Sequence, residues 1–186
     1  MATHGIGDSR EAARRAAAAL GDVDLHQLPD HAEILAQLRE YQRLFQRDTQ
    51  PEALRLRREA ACEALAFLAG FSPLLYGPVL DGSADARSPV TLQVFADDPD
   101  AFARFVVDQG WPATPLSVAL RVRPDASESF TAWQFVADGI TFHIVSLPPT
   151  LQRQAPLGPD GRPMARVGLA GLRALLAADA GGGADG

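Results

Sequence analysis

The sequence predicts an α+β domain, a mixed and mostly antiparallel sheet flanked by helices and preceded by an N-terminal helical region. Three observations carry this reading. Apolar residues recur at helical spacing through the first 70 positions and again near the C-terminus. Between them, residues 90–96, 115–123 and 131–147 are rich in β-branched residues and alternate as strands do. Asp138-Gly139 divides the last of these as the two-residue turn that hairpins favour. The chain thus divides into a helical region over 1–70 packed on the core, an α/β core over 71–178, and a disordered tail over 179–186.

Each element has a local reason. Ser9 is placed to cap a short helix over 10–20, which Gly21 ends. Asp30-His31-Ala32-Glu33 has capping-box spacing and opens a helix over 31–47. Its residues Ile34, Leu38, Tyr41 and Phe45 fall on one face at steps of 4, 3 and 4, and Arg39, Arg43 and Arg47 form a stripe on another. Pro51 suits the first turn of a third helix over 51–69, closed by Gly70. There Leu54, Ala61, Leu65 and Ala69 form the apolar stripe, and Cys62 beside them reads as a small core residue.

From Ser72 the period changes. PLLYGPVL (73–80) reads as a strand running into a turn, DGSADARS (81–88) as a loop, and VTLQVFA as a strand. Asp98 and Pro99 start a helix over 99–109 that buries Phe102, Phe105 and Val106 and ends at Gly110. Strands follow at 115–123, 131–137 and 140–147. A Pro- and Gly-rich loop (148–163) then leads to a helix over 167–178 with Leu169, Leu172 and Leu176 on one face.

Composition excludes several chemistries. Seventeen arginines stand against 23 acidic residues, a net charge of −6, so a globally basic nucleic-acid binder is not expected. The chain has no lysine and no asparagine. A lysine-bearing P-loop, a Schiff-base lysine and an Asn-x-Ser/Thr acceptor are therefore all excluded. The single cysteine, Cys62, excludes an intrachain disulfide and a cysteine zinc cluster. No apolar run reaches the length of a membrane span, and the first 20 residues lack the pattern of a secretion signal. The expectation is a cytoplasmic protein with no membrane association.

Residues 77–92 read GPVLDGSADARSPVTL. The segment resembles the active-site signature of the nucleotidyltransferase superfamily, the polymerase-beta-like fold. That pattern runs Gly-Ser-x-Ala-Arg-Gly-x-Ala, then Ser-Asp-hydrophobic-Asp-Leu. Without a gap, Gly77, Gly82, Ala84, Ser88 and Leu92 fall on matching positions, and Val90 fills the hydrophobic slot. Over most of its length the chain also resembles a group of roughly 190-residue bacterial proteins, with the run LPDHAEILAQLREYQRLFQ and a hairpin reading GITFHIVSL. Some of that group carry a UDP-N-acetylmuramate–alanine ligase label. It finds no support here, since those ligases are much longer and use a lysine-bearing P-loop.

The resemblance implies a site for Mg2+ and a nucleoside triphosphate. Two metal ions there stabilise the attacking and leaving oxygens, and hard cations need carboxylate ligands. It places nucleotide contacts at Gly77, Gly82, Ser83 and Ser88. The departures fall on the chemistry itself. Pro78 stands at the serine position, Asp81 at the arginine, Pro89 and Thr91 at the two strand carboxylates, and His143 at the third. The expectation is a pseudoenzyme that keeps the fold, has lost its metal-binding carboxylates, needs no cofactor, and acts by binding or regulation.

Two alternatives stand beside it. One is an active nucleotidyltransferase with displaced ligands, in which Asp81, Asp85 and His143 hold Mg2+. The bland reading of these residues is two turn-forming aspartates and a structural histidine. Asp97 and Asp98 lie eight positions along the strand from Pro89, roughly 26 Å away, too far to share an ion with it. His4, His26 and His31 show no ligand spacing. The other alternative is a protein-interaction module using the N-terminal helices. Arg39, Arg43, Arg47, Arg55, Arg57 and Arg58 would meet an acidic protein or, less well at a local net charge of +3, RNA.

Overall fold

A computed structural model of the chain describes residues 49–182, together with 33, 36–38, 40 and 41. The isolated residues before position 49 are helical and lie at the surface, within the helix expected over 31–47. The helix expected over 10–20 lies outside the described residues.

Helix α1 (Gln50–Phe67) starts with Pro51 in its first turn, where a missing amide hydrogen costs nothing. A short 3-10 turn (Ala69–Phe71) and Ser72, in the left-handed region at φ 49°, redirect the chain into β1 (Leu74–Tyr76). Then come the helical turn α2 (Pro78–Asp81), β2 (Val90–Phe95), α3 (Ala101–Asp108), β3 (Thr114–Arg123), β4 (Ala126–Ala137) and β5 (Ile140–Leu147). The turn α4 (Thr150–Arg153), the two-residue β6 (Arg166–Val167) and α5 (Leu169–Gly182) complete the fold. No helix among the described residues is long and apolar enough to cross a membrane.

The six strands form one mixed sheet in the order β3-β4-β5-β2-β1-β6. β2 and β5 run parallel and every other neighbouring pair is antiparallel. Strand alternation splits the apolar residues between two faces. Val90, Leu92 and Val94 join Phe142 and Ile144 under Ala61 and Leu65 of α1, Phe102 and Val106 of α3, and Leu172 of α5. On the opposite face Phe95, Val145 and Leu147 meet Val118, Leu120 and Ala132. β2, at the centre, is buried along its whole length.

Four departures from the sequence reading have physical causes. Residues 78–81 are helical, because Gly77 at φ 74° breaks the strand and Pro78 has no amide hydrogen for a ladder. β4 starts at Ala126 rather than at 131. Ser127, Glu128 and Ser129 pair only with β3, beyond the reach of β5, and are exposed, so no apolar alternation marks them. β6 is too short to carry a period. α5 continues to Gly182, so residues 179–182, assigned by sequence to a disordered tail, are helical and Asp179 pairs with Arg58.

The hairpin joining β4 and β5 turns on Asp138 and Gly139, with φ of 50° and 75°. Two positive values define the mirror-image turn whose twist matches the flanking strands. No atom lies within 4 Å of a Cβ added at Gly139, so the backbone alone sets the cost of a side chain there. Gly139→Ala is expected to lower unfolding free energy by about 1 kcal/mol in urea titration, with unchanged m-value.

Candidate functional site

The loop between β1 and β2 is held from outside by α1. Gln50 Nε2 donates to the carbonyls of Gly82 and Ala84, at 3.0 and 2.9 Å. Arg57 donates through Nε to Ser88 O at 2.7 Å and through Nη2 to Ala86 O. Arg58 donates through Nε to Val79 O at 3.0 Å, through Nη2 to Leu80 O at 3.3 Å, and through Nη1 to Asp179. Six successive or alternating carbonyls of 79–88 are thereby satisfied from one helix. The sequence reading put Arg57 and Arg58 on a basic face for an acidic partner or RNA. Instead they are buried, at 6% and 5% exposure, and occupied within the chain. Arg55 is exposed but bonds Glu52 and Glu59. Arg39, Arg43 and Arg47 lie outside the described residues.

The loop's own polar side chains mostly serve the loop. Asp81 Oδ1 accepts the Ser83 amide at 2.9 Å. Asp85 Oδ1 accepts the amides of Arg87 and Ser88 and the Ser88 hydroxyl, each at 2.9 Å. Partial burial pushes the Asp85 carboxyl up, but those three hydrogen bonds and the nearby Arg57 charge together hold it below the ordinary carboxylate range. Both aspartates thus behave as turn formers. Gly82, at φ 86°, closes α2 in the left-handed region.

Beneath the loop, the register assembles a polar row across the sheet. Thr114 pairs with Gln134, Gln134 with His143, His143 with Thr91, Thr91 with Tyr76, and Tyr76 with Arg166. In-register neighbours point to the same face, so these six side chains form one transverse line. The sequence reading named only two of them, Thr91 and His143, and here they are direct cross-strand partners. Pro89 precedes Val90, the first residue of β2, and lies outside the ladder that pairs Thr91 with His143. The Thr91 hydroxyl donates to Tyr76 O. A Cβ at Gly77 would stand 2.9 Å from Thr91 Oγ1, so the glycine is required by close approach as well as by its φ of 74°.

His143 Nε2 and Gln134 Oε1 are 3.1 Å apart. With Nε2 as donor, the imidazole is neutral and Nδ1 is an acceptor. Burial pushes its pKa below the ordinary 6.5, favouring that state. The Tyr76 hydroxyl is almost wholly buried, which pushes its pKa up and keeps it protonated. His143 Nδ1 and the Tyr76 hydroxyl have no hydrogen-bond partner. Farther along β2, Gln93 Oε1 accepts from Arg166 Nη1 at 3.0 Å, and Arg166 also binds the carbonyls of Leu151 and Gln152.

These residues do not fit a centre for two magnesium ions. The row holds no carboxylate, and its one customary ligand, His143, turns Nε2 toward Gln134. Asp81, Asp85 and His143 are not brought together. Asp81 lines a cavity of about 700 Å3 with Gly77, Arg162 and Arg166, while Asp85 lines a separate one of about 280 Å3 with Gln50 and Arg87. No group of three His, Cys, Asp or Glu side chains among the described residues is placed to hold a metal ion. Comparison with protein-family models, with curated proteins and with solved structures finds no match.

Two outcomes follow. Arg58→Ala strands buried carbonyls and is expected to cost about 2–4 kcal/mol in urea unfolding, whereas Arg55→Ala leaves the midpoint unchanged. His143 takes up a proton more readily unfolded than folded, so its contribution is complete above the ordinary value and is lost as pH falls below about 6.5. The drop in urea midpoint between about pH 7.5 and about pH 5.5 is expected to shrink in His143→Gln.

Proposed function

We propose that this chain is a nucleotidyltransferase-like domain that has lost its metal-binding carboxylates and acts as a binding or regulatory pseudoenzyme. One observation carries the reading. Thr91 on β2 and His143 on the parallel β5 are direct partners, with Gly77 packed on Thr91. This is the juxtaposition that the resemblance asks of its glycine turn and its carboxylate strands. The order β1, helical turn, β2 and parallel β5 supports it further.

The chemistry at those positions is neutral. A hydroxyl, an uncharged imidazole, an amide and a phenol offer hydrogen bonds but no anionic oxygen to offset two divalent charges. The Tyr76 hydroxyl and His143 Nδ1 stay unpaired beneath the surface of the same face. A site without carboxylates favours binding over phosphoryl transfer. The alternative of displaced ligands has less support, since Asp81 and Asp85 spend their carboxylates on backbone amides.

The test is thermal unfolding with ATP, GTP, CTP and UTP, each with and without Mg2+ or Mn2+. A ligand at a hundred times its Kd adds about 2.7 kcal/mol, a shift of about 5–10 °C for a domain of this size. No metal-dependent shift is expected from any of the four. A metal-dependent rise with one of them would overturn the reading.

A further inference from the structure

On the helical face of the sheet, α1 and the β4–β5 hairpin border a cavity of about 360 Å3, within the size range of small-molecule sites. The local sequence makes the space. Ala60 and Ala64, four residues apart on one side of α1, present only methyl groups to the cavity. Phe67, three residues on, carries the wall across to Trp111. From there the rings form a line. The centroids of Phe67 and Trp111 lie 5.6 Å apart and those of Trp111 and Phe135 4.8 Å apart. Phe135 and Phe142, cross-strand partners, stack at 5.2 Å with their planes 7° apart. Phe142 is buried, Trp111 and Phe135 are half-buried and Phe67 is exposed, so the lining is aromatic from floor to rim.

The charged residues of the lining are both acidic. Glu63 on α1 and Asp138 in the hairpin turn are exposed and so stand at the rim, and no basic residue among those described lines the cavity. Neither carboxylate has a hydrogen-bond or ion-pair partner among the described residues. Glu52 and Glu59, on the same helix, are by contrast taken up by Arg55.

We propose that this cavity binds an organic ammonium ion, its apolar body against Trp111, Phe135 and Phe142 and its charged head at the rim beside Glu63 and Asp138. Two independent features select that chemistry. The faces of aromatic rings carry negative charge density and attract a cation, and the rim carboxylates add full negative charges. The apolar floor in turn rewards a body that gives up water. An organic anion would be repelled by both rim groups, and a neutral apolar molecule would leave them without a counter-charge. A bare metal ion gains nothing from the floor and needs more oxygens than the rim supplies. The inference is independent of the polar row, which lies on the opposite face of the sheet.

Titration of the full chain with phenethylammonium chloride tests it, read by Trp111 fluorescence in a Trp133→Phe background. Phenethyl alcohol and hydrocinnamate are the neutral and anionic counterparts of the same ring. A saturable change is expected with the ammonium ion, a weaker one with the alcohol and none with the anion. Glu63→Gln/Asp138→Asn leaves helix and turn residues that suit their places and is expected to weaken ammonium binding about threefold to tenfold. Ala64→Phe, which fills the cavity, is expected to abolish the response. Thermal unfolding of the unsubstituted chain is expected to rank the three compounds in the same order. The proposal is overturned by the absence of a saturable response to the ammonium ion. It is equally overturned if the alcohol or the anion binds as tightly, or if either variant binds as tightly as its parent.

Discussion

The centre of this protein depends on three side chains of α1 that bind backbone. Gln50, Arg57 and Arg58 donate to carbonyls of residues 79–88 and so set the path of the loop between β1 and β2. Two guanidinium groups would not be buried without such acceptors, because desolvating a cation costs several kcal/mol unless its hydrogens are matched. Asp179 supplies the counter-charge for Arg58 from α5, tying the C-terminal helix to the same point. The loop, α1 and α5 therefore stand or fall together.

A clamp on carbonyls is indifferent to the side chains of the segment it holds. Every residue offers the same acceptor, so the loop keeps its course whether position 78 is serine or proline and position 81 arginine or aspartate. On the proposed reading, this is how a glycine-turn scaffold can stand beside side chains unsuited to phosphates and divalent ions. The polar row below follows the same logic. Its geometry is set by strand register, which apolar burial of β2 enforces on both faces. What stands in the row is free to become Thr91, His143 and Gln134 without disturbing the sheet.

Much of the fold was legible because its signals are local. Pro51 marked the start of α1, Asp138-Gly139 marked the last hairpin, and alternation marked β2 and β5. The signals failed where structure is made by distant partners. Ser127 to Ser129 are strand only because β3 lies beside them, and Arg166 is strand only because β1 does. The site was half legible. Gly77, Thr91 and His143 were singled out by resemblance and do meet, whereas Tyr76, Gln134 and Arg166 join them through register, which one strand cannot announce. The clamp was misread altogether. Arg57 follows Ala53 by four residues and Arg58 precedes Ala61 by three, both on the buried stripe of α1, and that spacing was the available warning.

The central proposal is that the scaffold survives with a face that holds no divalent cations. Diffraction from a crystal of the full chain soaked with Mn2+ and ATP tests it most directly, since manganese is located by its anomalous scattering. The account predicts no manganese peak within ligand distance, about 2–2.6 Å, of Thr91, His143 or the Gly77 turn. A pair of peaks seated between those residues and the triphosphate would contradict it.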